Sequence, residues 1–184
     1  MGNNIYELNK DTSIQWKDEN FDFTNARTTA GTLPDLTLIP GTNIEIASFD
    51  GNNTSEGVSI TKELNHDYAE GTDLYFHTHW FPTTTASGTV RWNVDYYVSH
   101  NEYNGVVTSG LLSILVNAPK IAWQQEFATF PALNLGTLSK IGSQVSFRFY
   151  RTPATDSYPD DACVATMGWH YQTNSRGSAL ISTK

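Results

Sequence analysis

Two histidines, His77 and His79, are the side chains of this 184-residue sequence whose type and spacing are best suited to chemistry. They lie in the segment LYFHTHWF, where successive residues alternate between two faces. Because residues i and i+2 of a β-strand project from the same face, roughly 6–7 Å apart, both imidazoles could bind one metal ion. The pattern predicts a candidate transition-metal site at His77 and His79, with His170 as a candidate third ligand.

Packing is the competing interpretation of the same two histidines. Tyr75, Trp80 and Phe81 flank them in the sequence, and imidazoles within an aromatic layer can stack and form hydrogen bonds without a metal. A metal site usually needs at least three protein ligands, and this strand supplies only two. We therefore expect a structural role and no cofactor, and keep the metal site as the alternative.

The elements that position these side chains are predicted to be short β-strands. Alternation with a period of two, interrupted by turn sequences such as Pro40-Gly41 and Asp50-Gly51, is typical of strands buried on one face. The pattern predicts nine strands, over residues 35–39, 43–49, 57–63, 72–81, 89–98, 106–116, 120–127, 143–151 and 162–171.

The alternation also predicts which side chains face the core. In the last strand, one face is expected to carry Cys163, Ala165, Met167, Trp169 and Tyr171. Tryptophans on such apolar faces are expected to pack in the core rather than to form a sugar-binding platform, and this applies to Trp80, Trp92, Trp123 and Trp169.

The fold class that follows is all-β: an antiparallel β-sandwich, with a jelly roll as the best single prediction. Residues 36–184 are expected to form one β-sandwich domain, a size at which a single core suffices. Residues 1–35 are polar and show no periodicity, so we expect an irregular N-terminal arm that serves for attachment or for exchange between subunits.

Charge and composition exclude several classes of function. The net charge of −8 disfavours nucleic-acid binding and docking on an anionic membrane, both of which need a basic surface. The single cysteine, Cys163, is expected to be a buried apolar residue. We expect no signal peptide, because the first residues contain no apolar stretch.

Two further groups of side chains could bind a ligand. Asp156, Asp160 and Asp161 cluster in the segment TPATDSYPDDA and could bind calcium, although an ordinary polar turn explains the prolines better. Exposed tyrosines could contact a glycan, and the candidates are Tyr97, Tyr103 and Tyr150.

Three segments resemble a group of structural proteins from the virions of tailed bacteriophages. They are LNHDYAEGTDLYFHTHWFPTT, VRWNVDYYV and the closing GWHYQTNSRGSALISTK, and the resemblance covers roughly residues 56–184. The positions that fall on the pattern are His66, Gly71, His77, His79, Trp80, Pro82, Trp92, Tyr96, His170, Tyr171, Gly177 and Ser178. The resemblance implies a jelly-roll-like sandwich, a trimeric habit and no established catalysis.

Three functions remain open from the sequence. The first is a non-enzymatic virion protein, made in the host cytoplasm, that forms a homo-oligomer, expected to be a trimer, and attaches to a capsid or tail as decoration, head fibre or tail component. The second is a module that binds a host-surface glycan. The third is a cupin-like metal-dependent enzyme using His77, His79 and His170, although cupins carry a glutamate where this chain has Thr83 and Thr84.

Overall fold

The computed structural model describes residues 15–21, 23, 26, 31–102 and 106–174. Ten β-strands make up most of this part of the chain: β1 (Gln15–Phe21), β2 (Asp35–Leu38), β3 (Glu45–Phe49), β4 (Val58–Glu63), β5 (Tyr75–Pro82), β6 (Thr89–Ser99), β7 (Val107–Asn117), β8 (Glu126–Thr129), β9 (Gln144–Arg151) and β10 (Ala162–Thr173). Within the described part of the chain, no helix has the length and apolar character needed to cross a membrane.

The strands form two antiparallel sheets that face each other. The six-stranded sheet has the order β2-β3-β10-β5-β8, with β1 also paired to β10, and the four-stranded sheet has the order β4-β9-β6-β7. Strands β3 to β10 are the eight strands of a jelly roll, because β3-β10-β5-β8 and β4-β9-β6-β7 are its two interlocking sheets. The predicted all-β sandwich is confirmed.

The core lies between the sheets and is dominated by aromatic rings. Trp92 of β6 is fully buried and stacks on Phe149, with ring centroids 5.0 Å apart. Trp169 of β10 is also buried and meets Phe76 of β5 edge to face, at 5.4 Å. The alternation predicted these positions correctly, because inward residues of both sheets must interdigitate.

The N-terminal segment contains a strand, which corrects the expectation of an irregular arm over residues 1–35. β1 pairs with β10 along its whole length, from Gln15 opposite Thr173 to Phe21 opposite Met167. The two large apolar residues of β1, exposed Trp16 and buried Phe21, lie on opposite faces, so no apolar alternation marks the strand in the sequence. Residues 1–14, 22, 24, 25 and 27–30 lie outside the described residues.

The strand predicted over residues 120–127 is wrong over most of its length, because β8 covers only Glu126–Thr129. Trp123 has a φ of 62°, a left-handed conformation that no strand residue adopts. Its backbone N–H donates to the carbonyl of Pro82 at 2.8 Å, which ties the loop to the end of β5. The apparent alternation over Ile121 and Trp123 therefore belongs to a loop.

A β-bulge in β10 changes the predicted arrangement of side chains on that strand. The register shifts between Val164 and Thr166, and Ala165 is exposed rather than buried. Because one extra residue reverses the alternation, Cys163 lies on the opposite face from Met167. Cys163 is nevertheless fully buried, as predicted.

Candidate functional site

The outer face of the six-stranded sheet, the side turned away from the core, gathers three of the chain's histidines. β5 alternates as predicted, with Phe76 and Trp80 fully buried in the core and His77 and His79 on the opposite side. His170 projects from the same outer face, because it lies opposite Tyr75 in the register of β10 with β5. Sheet pairing therefore brings His77 and His170 together from distant parts of the sequence.

β1 adds a carboxylate to this face. Asp18 lies opposite His170 in the register of β1 with β10. Its Oδ1 is 3.5 Å from Nε2 of His77 and 4.0 Å from Nε2 of His170. The two imidazoles stack nearly parallel, with ring centroids 4.3 Å apart and 13° between their planes. The ligand atoms of Asp18, His77 and His170 all lie within 4.8 Å of one another, which is compact enough to hold a metal ion.

His77 is the buried member of this cluster. Its side chain is 0% exposed, and neither ring nitrogen has a hydrogen-bond partner among the described residues. Burial lowers the pKa of His77 below its usual 6.5, and the charges of His170 and His79 lower it further. Asp18 acts in the opposite direction, and the carbonyl of Tyr75 raises the pKa least of all. The imidazole is therefore neutral at pH 7.

Gly168 of β10 provides the space in which the cluster forms. It lies opposite His77 in β5 and opposite Asn20 in β1. A Cβ at this position would come within 2.5 Å of the carbonyl oxygen of Glu19 and 3.0 Å of Cε1 of His77. Glycine therefore allows the backbone of β1 and the imidazole of β5 to approach the same point of β10.

His79 lies outside the compact cluster, although it shares a strand face with His77. The ring centroids of the two histidines are 5.6 Å apart and their planes are perpendicular, at 89°. Nδ1 of His79 is 2.7 Å from Nε2 of Gln125, within hydrogen-bond distance. The ring also packs 4.9 Å from that of Phe127. Of the three histidines named from the sequence, the structure thus groups His77 with His170 and places His79 in a separate contact.

A shallow groove of about 420 Å³ adjoins the cluster on the same outer face. Its lining consists of Trp16, Tyr75, Thr129 and His170. The Trp16 side chain is 54% exposed and meets Tyr75 edge to face, with ring centroids 5.5 Å apart. Exposed aromatic rings beside hydrogen-bonding groups are an arrangement suited to binding a small amphipathic ligand.

Two of the three tyrosines that the sequence suggested for glycan contact, Tyr97 and Tyr150, lie on the four-stranded sheet. Tyr97 is exposed there. Tyr150 is partly buried, because Arg148 covers its ring at 4.4 Å and its hydroxyl donates to Asp95 at 3.2 Å. Tyr103 lies outside the described residues.

The acidic segment between β9 and β10 is organised by an arginine. Asp156 pairs with the buried guanidinium of Arg151 through contacts of 2.9 Å and 3.2 Å. Asp160 accepts a hydrogen bond from the Thr84 hydroxyl at 2.5 Å, and Asp161 accepts one from the backbone of Gly51. The three carboxylates thus serve separate contacts, as in the polar turn favoured from the sequence.

Sequence reasoning missed Trp16, Asp18 and Phe127 as parts of this face. Trp16 and Asp18 are two residues apart, so they project from one side of a strand, and this spacing was the available signal. It could not be used without knowing that β1 is a strand. Phe127 is 48% exposed and packs against the outer histidines.

No protein-family model matches the sequence, and no curated protein matches it. Solved structures with some similarity include the CBM36-1 domain of a multidomain xylanase from the hindgut metagenome of Trinervitermes trinervoides, with a TM-score of 0.45 and 16% identity over 91% of this chain and 100% of that one. A carbohydrate-binding module specific for non-crystalline cellulose, CBM28, has a TM-score of 0.41 and 8% identity over 84% and 87% of the two chains.

A third similar structure contains the CBM22-1–GH10 modules of endo-1,4-β-D-xylanase 10B from Clostridium thermocellum, complexed with xylohexaose. Its TM-score is 0.40 and its identity 12%, over 90% of this chain and 27% of that one. At these identities and TM-scores, the likeness carries no argument about what this chain binds.

Proposed function

We propose that this chain is a non-catalytic β-sandwich module that binds a neutral glycan on the outer face of its six-stranded sheet. The observation that carries the proposal is the groove lined by Trp16, Tyr75, Thr129 and His170. An indole left 54% exposed costs free energy unless a ligand covers it, so an exposed aromatic groove is a candidate binding surface.

The groove offers the two kinds of contact that a sugar requires. A pyranose ring has an apolar face of C–H groups, which packs well against the flat rings of Trp16 and Tyr75. Its hydroxyl groups need donors and acceptors, which Thr129 and His170 supply from the strands on either side of β5. The nearby Asp18 carboxylate and the net charge of −8 oppose a polyanionic glycan, which favours neutral sugars.

A glycan array probed with the full chain tests this proposal, followed by calorimetric titration of the best oligosaccharide. We expect Trp16→Ala to weaken binding about tenfold or more, the equivalent of about 1.4 kcal/mol, because the stacking surface is lost. Since Trp16 is half-exposed, the variant should remain folded, which circular dichroism would verify.

Tyr97→Ala is the matched control, because Tyr97 is also an exposed aromatic residue but lies on the other sheet. We expect this variant to bind as the unmodified protein does. Loss of binding in Tyr97→Ala with normal binding in Trp16→Ala would show that the glycan binds on the four-stranded sheet instead. Absence of binding to every neutral glycan would contradict the proposal.

A second candidate is the role that the sequence resemblance implies, a structural protein of a tailed-phage virion. One observation favours it: β7, an edge strand of eleven residues, exposes Val107, Leu111 and Leu115. Apolar side chains along an unpaired edge are suited to contact with another subunit. This role requires self-association, and a chain that stays monomeric at every accessible concentration would exclude it. Both roles are compatible, since a virion protein can bind a glycan.

A further inference from the structure

We propose that Asp18, His77 and His170 form a binding site for one divalent transition-metal ion, and that the ion fastens β1 to the sheet. Each residue lies in a different strand: Asp18 in β1, His170 in β10 and His77 in β5. β10 lies between the other two strands. This inference goes beyond glycan binding, because it concerns the attachment of the N-terminal strand; the metal site shares His170 with the groove but needs no sugar.

The distances within the cluster suit a metal of this class. Zinc binds imidazole nitrogen and carboxylate oxygen at about 2.0–2.2 Å, so two ligands of a tetrahedral ion lie about 3.3–3.5 Å apart. Asp18 Oδ1 and His77 Nε2 are separated by 3.5 Å. His170 Nε2 lies 4.0 Å from the same oxygen, and its side chain is 37% exposed. Because its ring stacks nearly parallel to that of His77, it must rotate out of the stack to direct a nitrogen at the same ion.

The buried imidazole is an independent indication that a ligand belongs here. His77 is fully buried, and among the described residues neither of its nitrogens makes a hydrogen bond of good geometry, since Asp18 Oδ1 lies 3.5 Å from Nε2 and the Tyr75 carbonyl is only a weak contact. Buried polar atoms are normally satisfied, and an unsatisfied one calls for a ligand or a functional explanation.

The donor set also selects among metals. Two imidazoles and one carboxylate suit Zn²⁺, Co²⁺ or Ni²⁺, whereas Ca²⁺ and Mg²⁺ prefer oxygen ligands alone. The Asp18 side chain is 42% exposed, which gives an ion access from solvent and leaves a coordination position open to water.

His79 provides a matched control within the same strand face. It is a histidine two residues from His77, but its ring is perpendicular to that of His77 and its Nδ1 lies 2.7 Å from Gln125. A site built on the two histidines of β5 would lose metal when His79 is replaced. The site proposed here would keep it.

The experiment uses the full chain after treatment with a chelator and dialysis. Zn²⁺ is added by calorimetric titration, Co²⁺ is followed by its visible absorption, and hydrogen exchange measures the protection of residues 15–21. We expect one ion per chain, a higher unfolding temperature and slower exchange in β1. Ca²⁺ should produce none of these effects.

Variants then locate the ligands. His170→Gln and Asp18→Asn should each weaken Zn²⁺ binding by about a hundredfold or more and remove the added protection of β1, because each removes one ligand of three. Both side chains are partly exposed, so these variants should stay folded without metal. His79→Gln should bind Zn²⁺ normally.

Three outcomes would overturn the proposal: no stoichiometric Zn²⁺ binding at micromolar concentration, unchanged binding in His170→Gln and Asp18→Asn, or loss of binding in His79→Gln. Because no glycan enters these measurements, failure here leaves the glycan proposal standing, and failure on the glycan array leaves this one standing.

Discussion

At the scale of single residues, side chains of the same type differ in burial and therefore in the chemistry open to them. His77 and His79 share a strand face, yet His77 is enclosed between His170 and Phe127, whereas His79 contacts Gln125 near the surface. The difference arises from the neighbouring strands: β10 covers one histidine closely at Gly168, and β8 leaves the other partly open. Residue type alone therefore does not fix reactivity on this face.

Burial also limits the reactivity of the Cys163 thiol. Burial raises its pKa to about 11, and its Sγ lies 3.6 Å from the hydroxyl of Ser48. At pH 8, on the order of one thiol in a thousand is then ionised, and the thiolate is the reactive form. We expect no reaction of the native protein with a disulfide reagent at pH 8.

The same reagent should label one thiol per chain in denaturant, because this is the only cysteine. Unfolding restores both exposure and an ordinary pKa. Complete labelling of the native protein within seconds would show that the strand pair around Cys163 is open in solution.

At the scale of elements, one buried arginine holds the loop between β9 and β10 in place. Arg151 ends β9 and is 1% exposed. Its guanidinium donates to both carboxylate oxygens of Asp156 and to the carbonyls of Phe49, Tyr158 and Asp160. The loop thus folds around a single buried charge, which Asp156 neutralises.

Replacing Asp156 with Asn should therefore destabilise the protein strongly. The substitution leaves the guanidinium buried without its counter-charge, and breaking a buried ion pair in this way costs about 3–5 kcal/mol. Urea unfolding would measure the loss. Glu70→Gln is the control, because Glu70 pairs with Lys140 at the surface, where an ion pair contributes less than about 1 kcal/mol. Equal losses in both variants would contradict this account of the loop.

At the scale of the whole molecule, the jelly roll leaves apolar side chains on the edges of its sheets. β7 exposes Leu111 and Leu115 at one edge of the four-stranded sheet, and β2 exposes Leu36 and Leu38 at one edge of the other. Native proteins usually protect such edges with charge, so these edges are the candidate surfaces for self-association.

We predict that the chain forms a trimer at micromolar concentration, as the sequence resemblance implies, and that β7 lies in the contact. The double substitution of Leu111 and Leu115 with Lys should give a monomer, because charge at an edge opposes pairing. Sedimentation equilibrium would measure both states. Leu38→Lys, on β2, is the control and should remain a trimer; dissociation in that variant alone would move the contact to the other sheet.

The sequence by itself determined the class of fold and the orientation of most core residues. Alternation is a local property, since each residue of a strand faces opposite to the next, and this was enough to place Trp80, Trp92 and Trp169 in the core. It also placed His77 and His79 on the outer face of one strand. The alternation predicted side-chain orientation wrongly at two places where the backbone is not a regular strand. These are the β-bulge at Ala165 and the left-handed conformation of Trp123.

Only the tertiary structure decided which side chains meet. Asp18 lies in β1 and His170 in β10, at opposite ends of the described chain, and nothing local in either segment indicates that they are neighbours. Their distance depends on the order and register of strands, which is set by packing of the whole sandwich. The strand β1 itself is formed by pairing with β10 rather than by its own apolar pattern. For that reason the sequence named the histidines, and the fold alone supplied the carboxylate and the aromatic groove beside them.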